Sequence, residues 1–249
     1  MEQTEKMKNY VYKFWAVACA LVLGGWSIAN AVPVDTLTIS DGFGNSVTLG
    51  VGGSPVLAGT ASTTDFTTSA GMVNWEGHIG GWTMTAETGT ATPVTTMPEL
   101  MGLTFAETSS SAGTLTIDWT AVGFGPSTGG FRADTGGTVG SGASLTYSTF
   151  YSTANAIPAG TALTSPLAFA TPGGFNGSDS RAVGSLGSPF SLTQQIVIND
   201  TRAATSSGSA TITSVPDAGS SLILLGAAIN ALGVFAGFNR RQWNRQWSR

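Results

Sequence analysis

His78 is the only imidazole in the chain, and Glu76 two residues before it supplies a carboxylate to orient it or to share a metal ion with it. The only cysteine, Cys19, lies in an apolar N-terminal run, so a nucleophile from the rest of the chain has to be Ser or Thr. Gly125-Pro126-Ser127-Thr128-Gly129 spells the G-x-S-x-G of a nucleophile elbow. A glycine-rich stretch follows it where the elbow needs a helix, and His78 precedes the serine where the hydrolase order puts the histidine last. Glu87, Glu99, Glu107 and Asp118 are the carboxylates from which a glycosidase pair would be drawn. Asp118 alternates with Ile117 and Trp119 and is expected on the solvent face of a strand. Asp41-Gly42-Phe43-Gly44-Asn45 and Asn176-Gly177-Ser178-Asp179 are oxygen-rich strings of the kind that ligate calcium, although neither has EF-hand spacing and hairpin turns share the composition. Trp75, Trp82 and Trp119 either fill a core or, if exposed, stack on sugar rings. The expectation is therefore no catalytic residue, no metal ligand and no cofactor, with calcium at the two loops as the one alternative.

Composition points to what must position these residues. The 249 residues include 62 Ser or Thr and 34 Gly, with few of the residues that favour helices, so β-structure is expected. An apolar fraction of 41% with a net charge of only −4 excludes a disordered chain. One Cys excludes a disulfide scaffold or a Cys-rich zinc site. Between Phe14 and Asn239 there are 12 acidic residues, only Arg132, Arg181 and Arg202 as bases, and no Lys, a formal charge of −9. That interval repels nucleic acid and holds no Walker-type phosphate loop.

The two ends read as targeting segments. Lys6, Lys8 and Lys13 lead into an apolar run over residues 14–28, followed by Ala29-Asn30-Ala31. Small residues at Ala29 and Ala31 are what a signal peptidase reads, so residues 1–31 are expected to be a signal peptide and the mature chain to lack Cys. At the other end, residues 222–238 are apolar apart from Asn230, and the tail 239–249 carries Arg240, Arg241, Arg245 and Arg249. Those 17 residues as a helix reach about 26 Å, enough for a single membrane span, with the arginines holding the terminus in the cytoplasm.

Val215-Pro216-Asp217-Ala218-Gly219, the apolar run and the Arg cluster together resemble the PEP-CTERM class of bacterial sorting signals. The VPDSG-CTERM variant is the closer match, with a departure at Ala218, where that variant has Ser. The resemblance implies processing near residues 215–219 by an exosortase, a transpeptidase-like membrane protease, after passage through the general secretion machinery. It also implies a Gram-negative host that makes exopolysaccharide, with the protein in the inner membrane before processing and at the cell surface or in the extracellular matrix afterwards. The segment 188–198 resembles the strand that precedes the sorting motif in such proteins.

Residues 32–214 are left for one exported domain, with the sorting signal in 215–249. Apolar and polar residues alternate over 34–39, 46–51, 114–122, 144–151, 195–198 and 210–213, and more weakly over 73–76, 82–86 and 100–106. Glycine-rich stretches at 123–130 and 136–142, the stretch 171–178 and Thr205-Ser206-Ser207-Gly208 read as turns, and the Thr-rich segments 60–68 and 83–96 as edge strands or loops. The expectation is an all-β antiparallel sandwich of roughly eight to ten strands. Its expected role is non-enzymatic, at the surface and associated with exopolysaccharide. A carbohydrate-binding module or adhesin using exposed Trp and calcium is the alternative, and a polysaccharide hydrolase the third reading.

Overall fold

The computed structural model describes residues 34–92, 99–158 and 160–216. The signal peptide with Ala29 and Ala31, the apolar span, Asp217, Ala218, Gly219 and the arginines at 240, 241 and 245 lie outside the described residues. Within them the chain is all strand and turn. The strands are β1 (Thr36–Ser40), β2 (Ser46–Gly50), β3 (Val56–Ala58), β4 (Ser62–Ser69), β5 (Met72–Ile79), β6 (Trp82–Ala91), β7 (Glu99–Ser109), β8 (Gly113–Phe124), β9 (Ser127–Val139), β10 (Ala143–Ser152), β11 (Thr161–Ala162), β12 (Leu167–Phe169), β13 (Gly173–Leu186), β14 (Phe190–Asp200) and β15 (Thr205–Pro216). They form an eight-stranded sheet, β11-β10-β14-β8-β1-β2-β3 with β12 also on β10, and a seven-stranded sheet, β13-β9-β15-β7-β6-β5-β4.

The expected sandwich is present, with every pairing antiparallel. Its strand number exceeds the expected eight to ten. The surplus comes from short edge strands without a period, such as β3 and β11, and from strands that the glycine clusters had disguised. β9 runs through Gly129, Gly130, Gly136 and Gly137, and β13 begins inside the stretch read as a turn at 171–178. Thr205-Ser206-Ser207-Gly208 opens β15 rather than turning. Of the two Thr-rich segments, β4 is an edge strand, but β6 lies between β5 and β7. β15 continues through Val215 and Pro216, which pair with Gly130 and Gly129, so the strand extends two residues past 214.

Alternation explains which face each strand buries. β1, β2 and β10 bury every second residue, placing Leu37, Ile39, Val47, Leu49, Leu145 and Tyr147 in the core. Val73, Trp75, Leu103, Phe105, Phe131 and Ile212 face them from the other sheet. Trp119 on β8 crosses the gap: its indole Nε1–H donates to the Thr90 carbonyl on β6 at 3.0 Å. Its ring lies flat enough on Gly89 that a Cβ there would sit 2.5 Å from it. The phenol of Tyr147 likewise reaches across to the Thr211 carbonyl.

Gly89 is thus required by the bulk of Trp119. Gly89→Ala is expected to destabilise the sandwich by about 1–3 kcal/mol through overpacking, read by urea unfolding. A change below about 0.5 kcal/mol would show that the indole does not need the space.

Candidate functional site

The outer face of the seven-stranded sheet is polar where β13, β9 and β15 lie side by side. Register sets two rungs: Asn176, Gly136 and Ser209 face one another across the three strands, and Ser178, Asp134 and Thr211 form the next. Because Phe131, Ala133, Thr135 and Val139 on β9 point into the core, Arg132, Asp134, Gly136 and Thr138 point outward. Gly136 has no side chain to fill the middle of its rung, and the result is a groove of about 340 Å³ floored there by backbone.

The groove's polar groups are available. Nothing within the described residues occupies the side chains of Asn176, Ser178, Ser209 and Thr211. Arg132 donates through Nε at 2.9 Å and Nη2 at 2.7 Å to the same oxygen of Asp134, Oδ1. With the two side chains 52% and 35% exposed, this ion pair contributes little to stability, which leaves its charges for a ligand. Hydroxyl and amide donors, hydroxyl and carbonyl acceptors and one fixed charge pair within a few ångströms suit a neutral polyhydroxyl chain. They contain no nucleophile–base pair. The Asp134 charge, added to the larger effect of burial, pushes the Tyr147 phenol above its ordinary range, so that group is a fixed donor.

A second cavity, about 520 Å³, lies at the far end of the same three strands. Thr128, Gly129, Arg181, Gly184 and Val215 line it beside a β-bulge between Ala182 and Gly184.

The residues singled out from sequence are not assembled into one site. His78 is exposed on β5, its Nδ1 3.0 Å from Thr83 Oγ1. Ser127 begins β9 and is buried, with strand rather than helix after it. β5 and β9 are four places apart in the sheet, about 19 Å at the usual strand spacing, so His78 does not reach Ser127. Asp118 is half-buried on the outer face of the other sheet, where it accepts from Gln195 Nε2 at 2.9 Å and burial raises its pKa. The side chains of Glu87 and Glu99 lie outside the described residues. Asp41 spends its carboxylate on its own turn, accepting from the Phe43 and Asn45 amides and from Asn45 Nδ2 at 2.6 Å, so the first calcium loop is a closed hairpin turn. The second, Asn176 to Asp179, is a stretch of β13, and Asp179 accepts from the Ser165 amide at 2.7 Å. Trp75, Trp82 and Trp119 are all in the core, which corrects the reading in which they stack on sugars.

Glu107 is the carboxylate whose setting the sequence did not reveal. It lies on the inner face of β7 and is 1% exposed, with Asp200, Ser109 and Ser206 around it. Burial first, then the Asp200 charge, pushes it up to about 7, against a smaller opposing pull from Ser206. Asp200 is also raised by burial, while accepting from Ser109 Oγ.

No family model matches this chain, and no curated protein does. Among solved structures it is similar to the carbohydrate-binding module TmCBM61 in complex with β-1,4-galactotriose, at 8% identity over 45% of this chain and 71% of that one, TM-score 0.33. It is similar to the enzymatically active domain of tailspike protein 4 of bacteriophage CBA120, at 8% identity over 54% and 19%, TM-score 0.30. A carbohydrate-binding module of the β-sandwich superfamily aligns at 12% identity over 72% and 84%, TM-score 0.24. Likenesses of this size carry no function across, and the sandwich is established by the strand pairing itself.

The buried Glu107 gives stability a pH dependence. Its unfolded value is near 4.5 and its folded value about 7, so the folded state holds the proton more tightly. Stability is greatest below about pH 4.5 as far as this group is concerned, falls as pH rises through 4.5–7, and is lowest above 7. The loss is on the order of 3 kcal/mol, and Glu107→Gln should flatten the profile. A profile in urea that stays flat in the unsubstituted protein would contradict this assignment.

Proposed function

We propose that this chain is a non-enzymatic exported surface or matrix protein whose β-sandwich binds polysaccharide in the groove between β13, β9 and β15. The groove itself carries the reading. Two rungs of uncommitted hydroxyl and amide side chains flank a glycine floor, with a solvent-facing ion pair that contributes little to the fold. Such a surface recognises sugar hydroxyls through hydrogen bonds rather than by stacking, because the tryptophans are spent on the core. Binding by one domain is then weak, and adhesion comes from many copies along a polymer. The separation of His78, Ser127 and Asp118 favours binding over hydrolysis.

Export and sorting complete this reading. Residues 1–31 act as the signal peptide, and Val215-Pro216-Asp217-Ala218-Gly219 with the following span and Arg240, Arg241 and Arg245 forms the exosortase signal. Val215 and Pro216 end β15, so the folded domain leads directly into the processed segment.

Retention on an affinity gel loaded with exopolysaccharide tests the groove. Gly136→Leu is expected to abolish retention while leaving the fold intact, since a Cβ there meets its nearest atom at 3.4 Å, ordinary contact. Asp134→Ala should weaken retention by about ten- to a hundredfold, by loss of one charge-assisted set of about 1.5–3 kcal/mol. Equal retention of both variants and the unsubstituted chain would place binding elsewhere.

Intact mass of the protein from its host's envelope and medium tests sorting. A mass lacking residues 1–31 and the tail beyond the 215–219 motif is expected. One that retains residues 222–249 would mean a plain membrane anchor.

A further inference from the structure

Glu107 and Asp200 meet where the chain passes from one sheet to the other. Asp200 is the last residue of β14 in the eight-stranded sheet, and β15 of the seven-stranded sheet begins at Thr205. Glu107 projects inward from β7 between two cross-strand neighbours, Met84 on β6 and Ser206 on β15. The two carboxylates are 1% and 5% exposed. Both oxygens of Glu107 and Oδ1 of Asp200 are buried and accept no hydrogen bond of ordinary geometry.

Among the described residues nothing positive offsets these charges. Arg202, in the connecting turn, gives its guanidinium to Ser141, donating from Nε to the Ser141 carbonyl at 3.1 Å and from Nη2 to its hydroxyl. The hydroxyl of Ser109 satisfies only the other Asp200 oxygen. The hydroxyl of Ser206, which already accepts from the Gly140 amide at 3.3 Å, is beside Glu107 and has lone-pair capacity left. Ser206 lies close enough for its hydroxyl and amide to pull the Glu107 pKa down, yet three of the four carboxylate oxygens lack a hydrogen bond of good geometry, and a buried pair so placed is costly unless a proton or a cation sits between them.

We propose that Glu107 and Asp200 bind a calcium ion between the two sheets, with Ser206 Oγ as a third oxygen ligand. All the donors are hard oxygens, which excludes a soft-metal site and suits calcium or magnesium. Calcium accepts irregular sets of six to eight oxygens completed by carbonyls and water, whereas magnesium demands a near-ideal octahedron that two carboxylates from opposing sheets do not form. A +2 charge neutralises the pair and ties β7 to β14 across the interior. This inference stands on the buried cluster alone and does not depend on the groove or on sorting.

The purified full chain, stripped with EDTA, is titrated with CaCl2 at pH 8 by calorimetry and by thermal unfolding. One equivalent is expected, with Kd about 1 mM or tighter, the range of extracellular sites. Ten millimolar calcium should raise Tm by about 5 °C. Glu107→Gln should lose the equivalent and the shift, and Asp200→Asn provides the same test if that variant does not fold. Terbium gives a readout in the unsubstituted chain. Trp82 approaches Gly113, the cross-strand neighbour of Asp200, so its excitation should sensitise bound terbium, and calcium should quench that emission by displacement. No heat, no Tm shift and no sensitised emission would overturn the proposal and leave a shared proton as the neutralising species. Full calcium binding by a folded Glu107→Gln would overturn it too, placing the ion at the surface.

Discussion

The contact of the Trp119 indole with the bare backbone of Gly89 sets how closely the two sheets approach. A sandwich normally spaces its sheets about 10 Å apart, filled by interleaved side chains. Here the Trp119 ring lies across that layer with its N–H on the Thr90 carbonyl, and Tyr147 makes the corresponding reach to Thr211. A few large side chains do most of the filling, among them Trp75, Trp119, Tyr147, Phe105, Phe124, Phe131 and Phe190. The remaining positions can then be small. That permits the high Ser, Thr and Gly content without loss of a core.

The same economy shapes the outer surface. Once Phe131, Ala133 and Thr135 on β9 are committed to the interior, the intervening positions are Arg132, Asp134 and Gly136. β13 and β15 set Asn176, Ser178, Ser209 and Thr211 beside them by register. The groove is therefore a consequence of alternation in three neighbouring strands, with a glycine where a side chain would close it. Among the described residues the interior leaves polar atoms without a hydrogen-bond partner at Gln194 Nε2 and at the carboxylates of Glu107 and Asp200, the latter two at the crossing between sheets.

Much of the fold was legible in the sequence. Alternation around Leu115, Ile117, Trp119 and Ala121 placed those residues on one buried face, and the structure buries all four. Glycines misled because a glycine on an outward position of a strand leaves the inward alternation intact, as Gly136 does between Thr135 and the rest of β9. The short edge strands carry too few residues for a period. The groove was not legible, since its three strands are joined only by register, with Asp134, Asn176 and Ser209 far apart in the chain. Nor was the setting of Glu107: a lone acid in a strand gives no sign of whether it faces water or another acid.

Backbone amide chemical shifts of the described domain, recorded while an exopolysaccharide fragment is added, test the binding surface most directly. The account expects the perturbed amides to cluster at Arg132, Asp134, Gly136, Asn176, Ser178, Ser209 and Thr211 and to saturate together. Perturbations confined to another face, or none at millimolar oligosaccharide, would contradict it.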